Sequence, residues 1–518
     1  ASTMHNLVLL VALPLLAAFL IPVFGRISPL LSRTTGPLIL IICLGIALMN
    51  WGKVDERAVS FVLGGFKPPF GIVFYIDQLS LMFALLVPLM LLIFWPWHRT
   101  AADREYSLLM LLTASSSGLV LTGDLFNIYV FYELLAVATY GLIAARDTGA
   151  AYAASIRYLI LSTAGSVLLL LGITIIYTQT GTLNIAQLAL LAPDKLNNVA
   201  GLSAFAMILI GAGVKAELFP VNVWVPEVYG SVSKRLSALL AGLVSKLAVL
   251  IIIRLLMLVF QQPEAMQLMA VLGMLGFITG ELVAWRAKDM TRMLSFSSIG
   301  QLGLIMVAFS LPGELGMLAG IAFTLHHLVI KPALFMLSEG WHGPMDQLHG
   351  AAKKSPLAAA LFVLLAMSLL GIPPLPGFWA KLLVVINLAA QAQAVYTLAL
   401  AMVLIATIVE AAYLFKVVIV LYQPENTSDE TVTSKLKNHR RLDLAIASAA
   451  GAVLLAAAVW IQPLETKLTA VAAQAANKSH YIETVFPIAA SQTDDPYVQL
   501  VSATSSQNRH SAQKQELK

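Results

Sequence analysis

Charged residues are scarce in this sequence. Asp, Glu, Lys and Arg make up 11% of the 518 residues, whereas hydrophobic residues make up 59%. A soluble globular domain carries about a quarter charged residues, so this composition excludes an ordinary soluble protein. Apolar runs long enough to cross a bilayer recur along the chain. The sequence therefore predicts an all-α polytopic membrane protein.

Cysteine is almost absent as well. The single Cys43 excludes an internal disulfide framework, a thiolate metal site and an Fe–S cluster. The chain also lacks a glycine-rich nucleotide loop and a metal-spaced set of His and Cys residues. We therefore expect no cofactor, no metal site and no ATP-driven pump. The net charge of +5 does not indicate a nucleic-acid partner, because the basic residues lie in loops between apolar runs.

Length and apolarity predict about fourteen membrane helices. The first run, residues 7–24, lacks a basic leading region and a small-residue cleavage site, so it is interpreted as a membrane helix and not as a signal peptide. The expected spans are 5–24, 36–51, 76–96, 106–122, 125–144, 155–178, 201–221, 236–258, 267–284, 291–311, 317–339, 357–386, 394–421 and 443–462.

Basic residues are distributed unequally between alternate loops. One set of loops contains Arg26, Arg33, Arg99, Arg104, Arg146, Lys234, Arg235, Arg286, Lys288, Arg292, Lys353, Lys354, Lys435, Lys437, Arg440 and Arg441. The other set contains only Lys53, Arg57, Lys67 and Lys195. Because positive charge resists translocation, the first set is predicted to be cytoplasmic. Both termini then face the non-cytoplasmic side of a bacterial inner membrane.

Two predicted helices are interrupted by proline. The seventh contains Lys215 to Pro220, and the twelfth contains Gly371 to Lys381. Broken helices at matching places in repeats are typical of transport sites. We therefore predict two inverted five-helix repeats, helices 4–8 and 9–13; the alternative is a pair of ordinary proline kinks. The predicted regions are N-terminal helices (1–105), a first repeat (106–260), a second repeat (265–421), a cytoplasmic loop with the last helix (422–462) and a polar, flexible or partner-bound tail (463–518).

Several ionisable residues fall inside the predicted spans. Each charge near the bilayer centre costs about 2.5–3.5 kcal/mol or more, so such residues usually have a function. The candidates for a proton relay parallel to the membrane plane are Glu133, Lys215, Lys246, His327, Lys331 and Lys381, with His326 and Glu410 as additional candidates. Lysine suits a relay because burial and a nearby carboxylate tune its proton affinity, and histidine exchanges protons near neutral pH.

Most of these residues also have a simpler interpretation. Glu133 is alternatively a packed carboxylate, and Lys246 alternatively extends towards an interface. One of the two adjacent histidines is expected to be structural, and spacing does not distinguish them. Three acids near predicted helix ends are expected to be solvated or structural, namely Asp124, Glu217 and Glu281. Two arginines, Arg157 and Arg254, are expected to be anchors.

Six segments follow one another in a recognisable order. They are 123–133 (GDLFNIYVFYE), 211–226 (GAGVKAELFPVNVWVP), 237–246 (SALLAGLVSK), 289–301 (DMTRMLSFSSIGQ), 327–331 (HLVIK) and 373–381 (PPLPGFWAK). Over roughly residues 60–420 the chain resembles the antiporter-like subunits shared by respiratory complex I and Mrp-type cation/proton antiporters. Within that family it looks most like the Mrp D subunit, because of residues 63–72 (LGGFKPPFGI), the Phe-Tyr-Glu segment and Lys381.

The resemblance implies roles for individual residues. Glu133 and Lys215 would form the switching pair, Lys246 and His327 would relay protons, and Lys381 would be the terminal gate. It also implies a fold of fourteen helices with inverted halves. The loop 227–236 departs from the family pattern, and Glu410 has no role that the resemblance supplies.

The leading hypothesis for function is a subunit of a multisubunit sodium/proton antiporter, and not an enzyme. The expected partners are other membrane subunits, lipids, protons and monovalent cations. The alternative is the proton-pumping subunit of a complex I-like dehydrogenase or membrane-bound hydrogenase; an ion-coupled inorganic-carbon uptake system is related to it. A purely structural membrane subunit is a third hypothesis, which the burial cost of so many ionisable groups disfavours.

Overall fold

The computed structural model of the protein describes residues 4–425, 436 and 438–487. Helices form most of this structure. They are α1 (Leu9–Ile27), α2 (Pro29–Met49), α3 (Gln78–Ile93), α4 (Asp103–Leu121), α5 (Leu125–Ala144), α6 (Gly149–Thr180), α7 (Ile185–Lys195), α8 (Val199–Gly213), α9 (Val225–Ser231), α10 (Lys234–Leu239), α11 (Ser245–Leu258), α12 (Pro263–Arg286), α13 (Met290–Ser310), α14 (Gly313–Ser338), α15 (Ala351–Lys354), α16 (Pro356–Leu370), α17 (Pro376–Ala389), α18 (Ala394–Tyr422), α19 (Arg441–Val459), α20 (Ile461–Ala476) and α21 (Lys478–Val485).

The helices match the expected membrane architecture. Ten helices of the described chain are long and apolar enough to cross a membrane, and α3, α8, α16 and α17 are shorter apolar helices. Large apolar side chains such as Phe19, Ile160 and Ile408 remain exposed on the outside of the bundle. Such a surface suits lipid and not water. The prediction of a polytopic helical membrane protein is therefore confirmed.

The centre of the bundle is formed by one almost continuous helix. It runs from Lys234 to Leu258 as α10, a π-helical turn (Leu240–Val244) and α11, and its apolar stretch is buried completely. The helices α13 and α14 are also buried over most of their length. A helix that is apolar on all sides belongs in a core. Ionisable side chains on these helices are therefore held deep inside the protein.

Both predicted helix interruptions are present. The helix α8 ends at Gly213, and the next helix, α9, begins only at Val225. The helix α16 ends before Gly371, whose φ of +94° only glycine adopts without strain. The next helix, α17, then begins with Pro376 at its first turn. The gaps leave backbone carbonyls free at the places where Lys215 and Lys381 lie.

Two elements depart from the predicted all-α fold. Strands β1 (Val59–Val62) and β2 (Val73–Ile76) form an antiparallel pair in which Val59 lies opposite Ile76. Their β-branched and aromatic residues favour strands, and the intervening segment contains glycine and proline. The helix α7 was also absent from the predicted set, because its 11 residues are too short to span a bilayer.

The segment from residue 463, which was predicted to be a polar, flexible or partner-bound tail, is helical in its first part. The helices α20 and α21 cover most of residues 461–485 and pack on the bundle. The Ala58 backbone N–H donates to His480 Nε2 at 3.0 Å, and the Gln78 N–H donates to Gln474 Oε1 at 2.8 Å. The polar residues that suggested flexibility thus bind backbone groups of the N-terminal region. Residues 488–518 of the predicted tail, and Lys435 and Lys437 of the preceding loop, lie outside the described residues.

Arg254, which was expected to be an anchor, forms an ion pair with Asp77. Its guanidinium donates to both carboxylate oxygens of Asp77, at 2.6 and 2.7 Å, and to Ser80 Oγ at 2.9 Å. The Asp77 side chain is fully buried, and it also caps α3 by accepting from the Ser80 N–H. A bidentate pair of this kind has the geometry that offsets the burial of two charges. It fixes the start of α3 against α11.

Candidate functional site

Lys215 lies just after the end of α8 and is almost completely buried. Its ammonium group donates to Ser162 Oγ at 3.0 Å and lies 3.6 Å from the centre of the Tyr132 ring. The Tyr132 hydroxyl in turn donates to the Gly211 and Ala212 carbonyls, which the end of α8 leaves free. Aromatic rings and hydroxyls stabilise a buried ammonium without fixing it as a carboxylate would.

Glu133, the predicted partner of Lys215, lies on α5. The two residues form no ion pair within the described part of the chain. Glu133 nevertheless attracts the Lys215 ammonium through space. Glu133 Oε1 is buried and has no hydrogen-bond partner among the described residues. The structure therefore places the predicted pair near each other but not in contact.

Glu217 is a buried carboxylate that the sequence interpretation assigned to a helix end. It lies two residues after Lys215, in the gap that follows α8, with a φ of +57° that is unusual for a residue other than glycine. Ser298 on α13 lies within hydrogen-bond distance of both carboxylate oxygens, at 2.7 and 3.1 Å. Glu217 also attracts Lys246 electrostatically. The sequence feature that could have indicated a buried role for Glu217 was its place inside the segment that interrupts the predicted seventh helix.

Lys246 and His327 are in direct contact at the centre of the bundle. The Lys246 ammonium touches His327 Nδ1, donates to the Ala241 carbonyl at 2.6 Å, and lies 3.3 Å from Ser245 Oγ. The π-helical turn Leu240–Val244 presents that carbonyl. Both residues are fully buried, so Lys246 does not extend to an interface.

The two helices that carry Lys246 and His327 approach each other closely. A side chain at Gly242, in the π-helical turn, would meet the ring of Pro332 on α14 at 2.5 Å. The absence of a side chain at Gly242 therefore allows this approach. His327 Nε2 is buried and has no partner within the described residues. The ring thus receives Lys246 on one nitrogen and leaves the other available.

Lys331 follows His327 by one helical turn and is fully buried. Its ammonium donates to Ser297 Oγ at 2.6 Å. It is attracted by three carboxylates, those of Glu217, Glu281 and Glu410. Lys331 therefore lies near carboxylates from three different parts of the fold, namely the segment after α8, α12 and α18.

Glu281 was expected near a solvated helix end, but the structure buries it completely. The Tyr413 hydroxyl donates to Glu281 Oε2 at 2.5 Å, while Oε1 has no partner among the described residues. The expectation failed because α12 extends to Arg286, so Glu281 lies inside the helix. Glu281 and Glu217 are thus members of the buried row that were expected near helix ends.

Lys381 and Glu410 form a buried ion pair. Lys381 Nζ lies 2.9 Å from Glu410 Oε1, and the Glu410 side chain has no exposed surface. Lys381 also donates to the Leu370 carbonyl, which the end of α16 leaves free, at 3.0 Å. Gln301 Nε2 donates to the second carboxylate oxygen at 2.7 Å. Both carboxylate oxygens of Glu410 thus have a hydrogen-bond partner. Glu410, whose role the sequence left open, is the ion-pair partner of Lys381.

His326 lies apart from the contact between Lys246 and His327. Its Nε2 lies 2.8 Å from Ser368 Oγ on α16, and it lines a large apolar cavity between α14, α17, α19 and α20. The two adjacent histidines therefore point to different surroundings. The structure brings His327, and not His326, to Lys246.

Together these side chains form a row of buried acids, lysines, one histidine and hydroxyls. Several of these groups contact serine or tyrosine hydroxyls. Among the described residues no group of three or more His, Cys, Asp or Glu side chains could hold a metal ion.

Comparison with known proteins identifies a matching family and several relatives. The family described as NADH:quinone oxidoreductase/Mrp antiporter, TM, matches residues 122–409, more than half of the chain. The D subunit of the Na(+)/H(+) antiporter of Bacillus subtilis (strain 168) is 31% identical over 399 residues, covering 73% of this chain and 80% of the relative. The N subunit of the NADH-quinone oxidoreductase of Desulforudis audaxviator (strain MP104C) is 29% identical over 435 residues, covering 80% of this chain and 86% of the relative.

A solved structure is similar as well. A chain in the structure of the Mrp complex from Dietzia sp. DQ12-45-1b is 28% identical with a TM-score of 0.85, and the match covers 94% of this chain and 100% of that chain. The region that matches the family contains almost the whole row of buried ionisable groups, from Glu133 to Lys381. This protein is therefore an antiporter-like membrane subunit and belongs to the NADH:quinone oxidoreductase/Mrp antiporter transmembrane family.

Proposed function

We propose that this chain is the proton-translocating subunit of a multisubunit antiporter that exchanges protons for sodium or another monovalent cation. The observation that carries the proposal is the row of buried ionisable groups, joined at its centre by the contact between Lys246 and His327. The similarity to D subunits of Na(+)/H(+) antiporters supports the antiporter assignment. In this proposal the chain is a secondary transporter subunit and other membrane subunits complete the complex.

The proposed architecture has fourteen spans. The ten long helices, α3, α4 and the two broken pairs α8–α9 and α16–α17 make up this number. The proposed halves are residues 106–260 and 265–421, inverted relative to each other. Each half then has its broken helix in fourth place, which carries Lys215 or Lys381. Each half also has a buried ionisable residue on its fifth helix, Lys246 or Glu410.

The proposed orientation follows the basic residues. Arg99, Arg146, Lys234 and Arg440 lie together at one end of the bundle. We place this end in the cytoplasm, because basic loops are retained there. Both termini then lie on the non-cytoplasmic side of a bacterial inner membrane.

In the proposed mechanism a proton moves along the row as charge pairs form and break. A carboxylate beside a buried lysine favours the charged lysine, and loss of the carboxylate favours release of the proton. Glu133 and Lys215 act as the switching pair. Lys246, His327 and Lys331 relay the proton through the centre, and Lys381 with Glu410 acts as the terminal gate. Cation exit is coupled to this movement through partner subunits.

A second candidate function is the same relay driven by electron transfer in a complex I-like dehydrogenase or membrane-bound hydrogenase. The similarity to the N subunit of an NADH-quinone oxidoreductase over 80% of this chain favours its consideration. The relay residues would be the same in both cases. The source of energy, and therefore the partner subunits, would differ.

The experiment that separates the two is cation-dependent dissipation of ΔpH in everted vesicles that contain the whole complex. Sodium, lithium and potassium are added in turn without an electron donor, to wild type, Lys246→Ala and the exposed-site control Lys288→Ala. The antiporter proposal expects sodium or another monovalent cation to collapse ΔpH in wild type and control but not in an assembled Lys246→Ala complex. If cations have no effect, while NADH or hydrogen supports a gradient that depends on Lys246, the redox alternative holds.

A further inference from the structure

A cavity of about 380 Å³ lies at the basic end of the bundle, and we call it the cup. It is bounded by the ends of α3, α5 and α14 and by the starts of α4, α10 and α19. The row of buried ionisable groups does not include any residue that lines the cup. The cup is therefore a separate feature for which the transport mechanism gives no reason.

Cationic side chains outnumber acidic ones in the cup. Among the described residues its lining has five lysine or arginine residues, namely Arg99, Arg146, Lys234, Arg235 and Arg440, and three acidic residues, namely Glu105, Glu339 and Asp443. Two of the acids are already paired. Arg99 binds Glu105, and Arg235 binds Asp443 at 3.0 Å. Of the described acids in the lining, only Glu339 then remains to balance Arg146, Lys234 and Arg440.

Several N–H donors of the cations in the cup have no acceptor among the described residues. The side chains of Arg146 and Arg440 form no hydrogen bond or ion pair with any described residue, and Lys234 donates to Thr291 Oγ1 at 2.5 Å. Arg235 is 4% exposed, and its buried Nε has no partner in the described part of the chain. Lys234 is partly buried without an ion-pair partner among the described residues, which is costly, whereas Arg146 and Arg440 are exposed around the cup. This cost is removed when an anion binds.

The pKa of His98, in the loop between α3 and α4, is affected by the positive charges of the cup. Burial lowers the pKa of His98 to about 4, and the nearby Arg440, Arg235 and Arg99 guanidinium groups contribute to this shift. The ring is therefore neutral at pH 7. It adds no further charge, and it can still donate or accept a hydrogen bond.

We propose that the cup binds a phosphate group, carried either by the headgroup of an anionic lipid or by a soluble phosphate. Guanidinium groups bind phosphate oxygens with two parallel hydrogen bonds, and Arg146 and Arg440 are free to do so. Basic pockets between membrane helices on the cytoplasmic side are suited to phosphate headgroups. The apolar part of the lining, Leu109, Leu142 and Met336 among others, would accept the glycerol and first carbons of a lipid.

The test uses the assembled complex after delipidation in detergent. Native mass spectrometry measures retention of added cardiolipin, phosphatidylglycerol and phosphatidylcholine, and thermal shifts are measured with lipid or with inorganic phosphate. The variants are Arg146→Gln with Arg440→Gln, and Lys234→Gln alone in case the double variant does not assemble. The matched control is Arg286→Gln, because Arg286 is exposed at the end of α12, outside the cup.

The proposal expects an anionic ligand to bind wild type and Arg286→Gln at least about tenfold more tightly than the double variant, since each lost charged hydrogen bond contributes about that factor. Retention of anionic lipid but not phosphatidylcholine would identify a lipid headgroup. A thermal shift with inorganic phosphate alone, lost in the cup variants, would identify a soluble phosphate. Equal binding of every lipid and of phosphate to wild type and cup variants would overturn the proposal.

Discussion

The two broken helices place a lysine in the same position but in different electrostatic surroundings. Lys381, beside the gap between α16 and α17, forms an ion pair of 2.9 Å with Glu410. Lys215, in the gap after α8, instead contacts a serine hydroxyl and the Tyr132 ring, and Glu133 makes no ion pair with a described residue. One structure therefore contains a closed charge pair and an open one.

The difference indicates how such a pair can switch. In the closed pair both oxygens of the carboxylate are satisfied, one by Lys381 and one by Gln301. In the open pair Glu133 Oε1 is buried without a described partner. A buried carboxylate oxygen without a partner costs about 1–3 kcal/mol, so a new hydrogen-bond or ion-pair partner would stabilise the open pair. In the proposed mechanism each lysine would alternate between these two arrangements.

The largest effect is expected from breaking the closed pair. Glu410→Gln leaves the Lys381 ammonium buried without its carboxylate, and removal of one partner of a buried pair costs about 3–5 kcal/mol. We expect a clear loss of thermal stability of the complex, together with a loss of transport of at least about tenfold. Thermal unfolding and sodium-driven ΔpH in vesicles measure the two effects. Glu410→Gln combined with Lys381→Met should recover stability but not transport; unchanged stability in the single variant would contradict the closed pair.

A smaller effect on stability is expected from the open pair. Glu133→Gln removes a carboxylate that makes no described ion pair, so thermal stability should change by less than about 1 kcal/mol. Transport should still fall by about tenfold, because Lys215 loses the charge that attracts it. The same two measurements apply, with Glu410→Gln as the comparison. A loss of stability as large as that of Glu410→Gln would show that Glu133 is paired after all.

Glu217 sharpens the comparison, because it lies between the two pairs. Ser298→Ala removes the hydroxyl that binds both of its oxygens, which should cost about 1 kcal/mol of stability. We expect Glu217→Gln to slow transport severalfold, since it changes the charge beside Lys246. Initial rates of ΔpH dissipation measure this effect. Ser310→Ala is the control, because the hydroxyl of that serine binds only the Val307 carbonyl of its own helix. Equal rates in Glu217→Gln and wild type would remove Glu217 from the row.

The smallest effect is expected outside the row. His480→Ala removes the acceptor of the Ala58 N–H and should lower the free energy of unfolding by about 1 kcal/mol. Transport per assembled complex should be unchanged, because α21 contains no member of the row. Thermal unfolding and transport normalised to complex content test this prediction. A transport defect without a stability defect would connect the C-terminal helices to the mechanism.

Much of the fold was predictable from the sequence, because apolar length and proline position are local signals. The breaks near Lys215 and Gly371 appear where the prolines suggested them. The C-terminal helices were missed because their apolar residues are few, and their polar residues bind backbone groups more than 390 positions away in the chain. Long-range contacts of this kind leave no periodic pattern.

The candidate site was predictable in its members but not in its contacts. Each lysine of the row was identified because charge is costly inside an apolar run. The choice between His326 and His327 was not possible, since adjacent residues on a helix point about 100° apart and only packing decides which faces Lys246. The burial of Glu217 and Glu281 was not predicted, because it depends on helix boundaries that apolarity places only approximately.

We propose that a proton path runs through the contact between Lys246 and His327. This contact joins the groups around Lys215 to the groups around Lys381. The most direct test compares initial rates of sodium-driven proton flux in proteoliposomes that contain the assembled complex with His327→Ala or with His326→Ala. We predict that His327→Ala lowers the rate at least about tenfold, since the relay loses its central group, whereas His326→Ala retains most of it. Equal rates in wild type and His327→Ala, or a greater loss in His326→Ala, would contradict a path through this contact.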